Sequence, residues 1–207
     1  MQHTLVIPNL SITKTKLFYC CMALLSLGIL SCEKEETPDA QRISQSSSNA
    51  VVSNTVLEGL DSCVTTNLMA GQHHVAVDVR VYVDLNNVYV EYRTTGNWFI
   101  KKTHLFIGNC GEIPVTRNGS PIPGQFPFSN AYPNGTQSVV YSFAKSNLPE
   151  CFCVAAHAEV YRVENNQIVQ TETAWASGER FTPRSWGMFF SACQSDCFDI
   201  EDYYFGN

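Results

Sequence analysis

The clearest pattern in the chain is His74-Val-Ala-Val-Asp-Val-Arg-Val-Tyr-Val-Asp84, where every odd position from Val75 to Val83 is valine. The even positions are mostly polar: His74, Asp78, Arg80, Tyr82 and Asp84. A period of two puts the valines on one buried face and the polar residues on a wetted one, as in an antiparallel sheet packed on one side. Asn86-Asn87 turns the chain and Val88-Tyr-Val-Glu-Tyr92 alternates back, which predicts a hairpin. Further strands are expected at Trp98–Ile107, Ser138–Phe143, Cys153–Val163, Ile168–Ala176 and Trp186–Ala192, with Glu164-Asn-Asn-Gln167 as a second hairpin turn. Between them runs a long connection, 108–137, holding Pro114, Pro121, Pro123, Pro127 and Pro133, with turns marked by Asn118-Gly119 and Asn134-Gly135. No segment sustains helical periodicity over three turns. The expected fold is all-β: an antiparallel two-sheet β-sandwich of about seven to eight strands.

The start of the chain obeys a different rule. Lys14 and Lys16 precede an apolar stretch, Leu17–Leu30, that ends at Ser31-Cys32 and turns polar at Glu33-Lys-Glu-Glu36. A bilayer core needs about 20 apolar residues, so this stretch is too short to span and reads instead as a secretory signal. The residues Ile29-Leu-Ser-Cys32 resemble the lipobox of bacterial lipoproteins. That resemblance implies cleavage before Cys32, lipidation of its thiol and anchoring in the outer membrane. Leu30 departs from the small residue often found there, while Ser31 fits. Several acyl chains on one cysteine anchor stably, where a single chain is marginal. The acidic cluster Glu33, Glu35 and Glu36 is similar to the export tag of some surface lipoproteins, which implies a protein facing outward at the cell surface. Serine- and glutamine-rich residues with no aromatics follow, too polar to offset the entropy of ordering. The expected organisation is therefore a signal peptide over 1–31, a lipidated flexible tether over 32–55 and a β domain over 56–207.

Composition narrows the function. Acidic residues outnumber basic ones by 19 to 13, for a formal net charge of −6. A phosphate-backbone binder needs the opposite balance, so nucleic acid is excluded as a partner. Nine cysteines are many for a cytosolic chain of 207 residues and point to an oxidising compartment. Cys20 and Cys21 belong to the leader and Cys32 to the lipid, leaving Cys63, Cys110, Cys151, Cys153, Cys193 and Cys197. An even number suits a disulfide framework. Cys151 and Cys153 share one face of a strand, so they pair outward: one with Cys193 or Cys197, the other with Cys63 or Cys110. A thiolate metal site from Cys151, Cys153, Cys193 and Cys197 is the alternative, disfavoured by spacing, since zinc knuckles place two to four residues between cysteines.

No motif announces catalysis. There is no G-x-S-x-G elbow, no phosphate loop and no H-E-x-x-H helix, and no cofactor is implied. His104 and His157 lie within expected strands and, with Glu172 or Glu159, could bind a ligand or form a metal or acid–base site. Phe126, Phe128 and Tyr132 sit in the long connection, where rings serve either to stack on a ligand or to plug the fold. Trp98, Trp175 and Trp186 are expected in the core.

Four blocks then form a pattern: Thr103-His-Leu105 with Ile107-Gly108, Pro123-Gly-Gln-Phe-Pro127, Ala155-Ala-His-Ala158 and Glu172-Thr-Ala-Trp-Ala176. Over about 75–192 they resemble a β-sandwich domain of secreted and surface-attached bacterial proteins. The resemblance implies location and fold and carries no activity. His104, His157 and Glu172 fall within its blocks, so they would build one shared network or one shared site. The function expected is non-catalytic binding or adhesion towards a glycan or protein. The alternatives are a metal-assisted extracellular hydrolase using His104, His157 and Glu172, and a structural subunit of an envelope assembly.

Overall fold

A computed structural model describes residues 57–197. The expected leader, Cys32 and the tether lie outside those residues. Ten strands form among the described residues: β1 (Val64–Ala70), β2 (His74–Val83), β3 (Asn87–Thr94), β4 (Trp98–Gly108), β5 (Phe128–Thr136), β6 (Ser138–Ala144), β7 (Cys151–Glu164), β8 (Gln167–Ala176), β9 (Glu179–Arg180) and β10 (Met188–Cys193). One helical turn, α1 (Gln194–Cys197), follows.

The two-sheet sandwich is not what forms. Eight strands make one continuous antiparallel sheet in the order β5-β4-β7-β8-β1-β2-β3-β6, with β10 beside the start of β7 and β9 on β10. The end strands β5 and β6 approach through side chains. Phe128 and Phe143 pack edge to face at 4.8 Å, and Thr103 on β4 shares a 2.6 Å hydrogen bond with the Tyr141 hydroxyl of β6. The sheet thus curls into a nearly closed barrel with one interior. Alternation shows which face of each strand is buried; it is silent on whether buried faces meet across two sheets or across one curled sheet.

The interior explains the curl. Val77, Val79, Val81, Val88, Val90, Leu68 and Ile100 are fully buried in one cluster, each contributing roughly 1.5–3 kcal/mol of burial. Large rings on one wall, Tyr92, Trp98 and Tyr141, face a wall of small residues: Ala70, Ala156, Ala158, Ala174 and Ala176 on β1, β7 and β8. This pairing of large with small fills a barrel too narrow for rings on every strand. Val75 breaks the valine stripe. The ladder shifts between Leu68↔Val77 and Met69↔Val75, and Val75 is 42% exposed. Tyr82, expected on the wetted face, is buried with Tyr89 and Val140 against Leu57 and Leu60. There it donates to Glu91 at 2.8 Å.

Three strands were not expected: β1, β5 and the two-residue β9. Apolar positions in β1, Val-Thr-Thr-Asn-Leu-Met-Ala, are too sparse to alternate. β5 contains Pro133 and Gly135, and four of its residues bulge between Lys102↔Ala131 and Ile100↔Thr136. The Asn134-Gly135 turn is this bulge, with Gly135 at φ 72. At the β2–β3 turn the Asp84 carboxylate accepts from the amides of Asn86 and Asn87 at 2.8 and 2.6 Å.

All six cysteines of the folded part are in disulfides: Cys63–Cys197, Cys110–Cys153 and Cys151–Cys193. Cys151 and Cys193 are direct partners across β7 and β10. Cys153 fastens the turn after β4 to β7. A continuous eight-strand sheet and three bridges join the described residues to one another, which gives this stretch a core and cross-links of its own.

Candidate functional site

The outer face of β4, β7 and β8 is where the candidate residues gather. Antiparallel register sets His104 opposite His157, and His157 opposite Trp175. Residues paired across a ladder share a face, so these three side chains form one row pointing out of the barrel. The His104 and His157 rings lie 5.5 Å apart, and His157 lies 4.8 Å from the Trp175 ring. Outward-facing residues are normally wet, yet the two histidines are only 7% and 8% exposed.

Two straps cover them. The connection from β4 to β5 is tied down by the Cys110–Cys153 bridge and lays Phe126 against Phe106 and Trp175 at 6.3 and 6.1 Å. The segment after β8 adds Phe181 against Trp175 at 6.0 Å, with Phe189 behind it at 5.0 Å. The straps interlock at glycines. A Cβ on Gly187 would lie 2.6 Å from Pro121 Cγ, and one on Gly119, at φ 78, would lie 2.9 Å from Thr182 Cγ2. Phe106, Ile113, Phe126, Cys153, Ala155 and Trp175 make a second apolar cluster outside the barrel.

Burial sets the chemistry of the histidines. Desolvation, with the charges of His104 and Lys102, depresses the His157 pKa from 6.5 to about 3. Desolvation and Lys102 also lower His104, opposed by Glu159 and by a hydrogen bond to the Pro123 carbonyl. Both rings are therefore neutral at physiological pH. The Nδ1 atom of each is buried without a hydrogen-bond partner.

Glu172 stands elsewhere. It pairs with Val160, whose neighbours Ala158 and Ala174 are core residues, so it faces the barrel interior rather than the histidines. Its carboxylate lies against Gly71, where a Cβ would meet Oε2 at 2.8 Å, and accepts from Gln170 Nε2 at 3.2 Å. A triad of His104, His157 and Glu172 is not assembled. Glu159 does share the histidine face, opposite Lys102. No group of three or more His, Cys, Asp or Glu side chains is placed to hold a metal among the described residues.

The rings of the long connection, open to stacking on a ligand or to plugging the fold, are inward or covered. Phe126 is the centre of the strap, Phe128 packs into the β5–β6 seam and Tyr132 packs half-buried against the barrel core. Trp98 lies in the barrel core as expected, whereas Trp175 is buried outside it. Sequence reasoning missed Phe181, and it held Phe189 only as a residue of the last expected strand, not as part of the cover over Trp175. The four sequence blocks converge here: three lie in the adjacent strands β4, β7 and β8, and the fourth, Pro123–Pro127, is the strap over them. No family model, curated protein or solved structure matches the chain.

Proposed function

We propose that this chain is a lipid-anchored cell-envelope protein whose barrel acts by binding a glycan or a protein, without covalent chemistry. The observation that carries this reading is the use of all six cysteines of the folded part in three separated disulfides. Such bridges persist outside the reducing cytosol, where the signal and lipobox at Cys32 would send the chain. The dry histidine face argues against the hydrolase alternative, because a general acid or base must come within hydrogen-bond reach of substrate, and both rings sit beneath packed aromatics.

Fractionation tests the anchor. Cys32→Ala should move the protein from the membrane pellet to the soluble fraction, and persistence in the pellet overturns lipidation. A glycan array and a pull-down from envelope extract, both on the exported region 56–207, test binding. A saturable ligand recovered unchanged supports the reading. Recovery of a cleaved or modified ligand overturns it.

A further inference from the structure

We propose that the covered histidine pair is a copper(I) site, in which one ion bridges Nδ1 of His104 and Nδ1 of His157. The inference rests on this pocket alone and stands apart from the binding of a glycan or protein.

Register makes the two rings direct partners across β4 and β7, with centres 5.5 Å apart. Both residues are more than nine-tenths buried, and each holds an Nδ1 without a hydrogen-bond partner. A buried polar atom left unpaired costs stability, so two of them on adjacent strands point to something that meets both. On His104 the hydrogen bond to the Pro123 carbonyl falls to Nε2, because Nδ1 has no partner. The proton therefore sits on Nε2, and Nδ1 keeps its lone pair. A carbonyl holding the far N–H is what orients an imidazole that binds metal through its other nitrogen. An ion held by two imidazoles at about 2 Å each needs nitrogens about 4 Å apart. Rings 5.5 Å apart reach that by turning about their Cβ–Cγ bonds, with the ladder unmoved.

The partners on offer select the occupant. Zinc takes four ligands, and no set of three His, Cys, Asp or Glu side chains is assembled among the described residues. A buried water makes about three hydrogen bonds, whereas the walls beside the pair are Trp175 on β8, Phe106 and Ala155 on the next rung, and Phe126 above them. Copper(I) has a filled d shell and is satisfied by two nitrogens in line, and imidazole suits copper. Its single charge is the cheapest to bring into a dry pocket, because the desolvation cost rises with the square of the charge. The Trp175 ring, 4.8 Å from His157, offers a π face to a cation. On the neighbouring rung away from Phe106, Glu159 favours the ion and Lys102 opposes it. The six described cysteines are all in bridges, so none of them competes for the metal.

Copper(I), supplied as its acetonitrile complex under nitrogen, tests this on the full chain extracted in detergent. After gel filtration against a copper(I) chelator, wild type should retain one more copper per chain than His104→Gln or His157→Gln. Each variant should hold that ion about tenfold more weakly or worse, with circular dichroism reporting whether it is folded. Nitrogen NMR of the wild type with labelled histidine needs no variant. There copper(I) should shift Nδ1 of both rings and leave the Nε2 proton of His104 in place, while zinc should move neither ring. Three results overturn the inference: equal copper in wild type and folded variants, Nδ1 signals unmoved by copper(I), or zinc held through the same two rings.

Discussion

Acid should loosen this protein well before its carboxylates titrate, because of His157. In the fold its imidazole is held neutral to about pH 3, against 6.5 when freely solvated. Unfolding lets the ring bind a proton that the folded state excludes. The neutral ring's contribution is thus fully present above pH 6.5 and is lost as pH falls towards 3. Linkage over that window costs about 2–3 kcal/mol between pH 7 and pH 4.5, and approaches 5 kcal/mol near pH 3. His104, also lowered, adds in the same direction. The groups around the pair do not offset the cost: Lys102 disfavours a second positive charge, and Glu159 raises only His104. Urea unfolding at pH 7, 6, 5 and 4.5 without reductant would measure it. With a slope of about 1–3 kcal/mol per molar urea, the midpoint falls by roughly 1–2 M. His157→Gln, which cannot take the proton, should flatten most of the dependence even if its stability at pH 7 is lower. A wild-type midpoint constant from pH 7 to 4.5, or an equally steep variant, would refute the account of a dry, unpaired imidazole.

Phe126→Ala removes the ring that packs on both Phe106 and Trp175 and should cost about 3–5 kcal/mol in urea unfolding, with a red shift of tryptophan emission; a loss below about 1 kcal/mol would show the strap does not hold the face closed. Thr103→Val leaves the Tyr141 hydroxyl without its 2.6 Å partner in the barrel wall and should cost about 1–3 kcal/mol, read by the same assay. Replacing both Cys63 and Cys197 by serine opens a loop of 134 residues, against 42 for Cys151 and Cys193. The first change should therefore destabilise by about 5 kcal/mol and the second by about 4, and calorimetry showing the reverse order would contradict the chain-entropy argument. Thiol titration of the region 56–207, denatured but unreduced, should find no free cysteine.

The sequence was most readable where one rule acted alone. Valines at 77, 79, 81 and 83 could only line a buried face, and they do. Val75 fails because a ladder shift beside Met69 depends on the partner strand, which the local pattern does not contain. The even cysteine count implied bridges, while their pairing waited on which elements lie side by side. His104 and His157 were visible as strand residues 53 positions apart, but that they are direct partners is a property of register between β4 and β7. Glu172 has the chemistry to join them, as Glu159 does, and the local sequence does not separate the two. Parity along β8 puts Glu172 on the other face from Trp175, and parity was legible only once the pairing with β7 was known. Closure was the largest gap. Nothing in the alternation of β5 and β6 says that Phe128 meets Phe143.

The bridge between Cys63 and Cys197 joins the chain just before β1 to its last described residue. Tension applied across the two flanks would run through sulfur and bypass the ladder between those points. A tethered molecule tugged at its ends would keep its strands unloaded, and only chemical reduction would let mechanical force begin to unravel them.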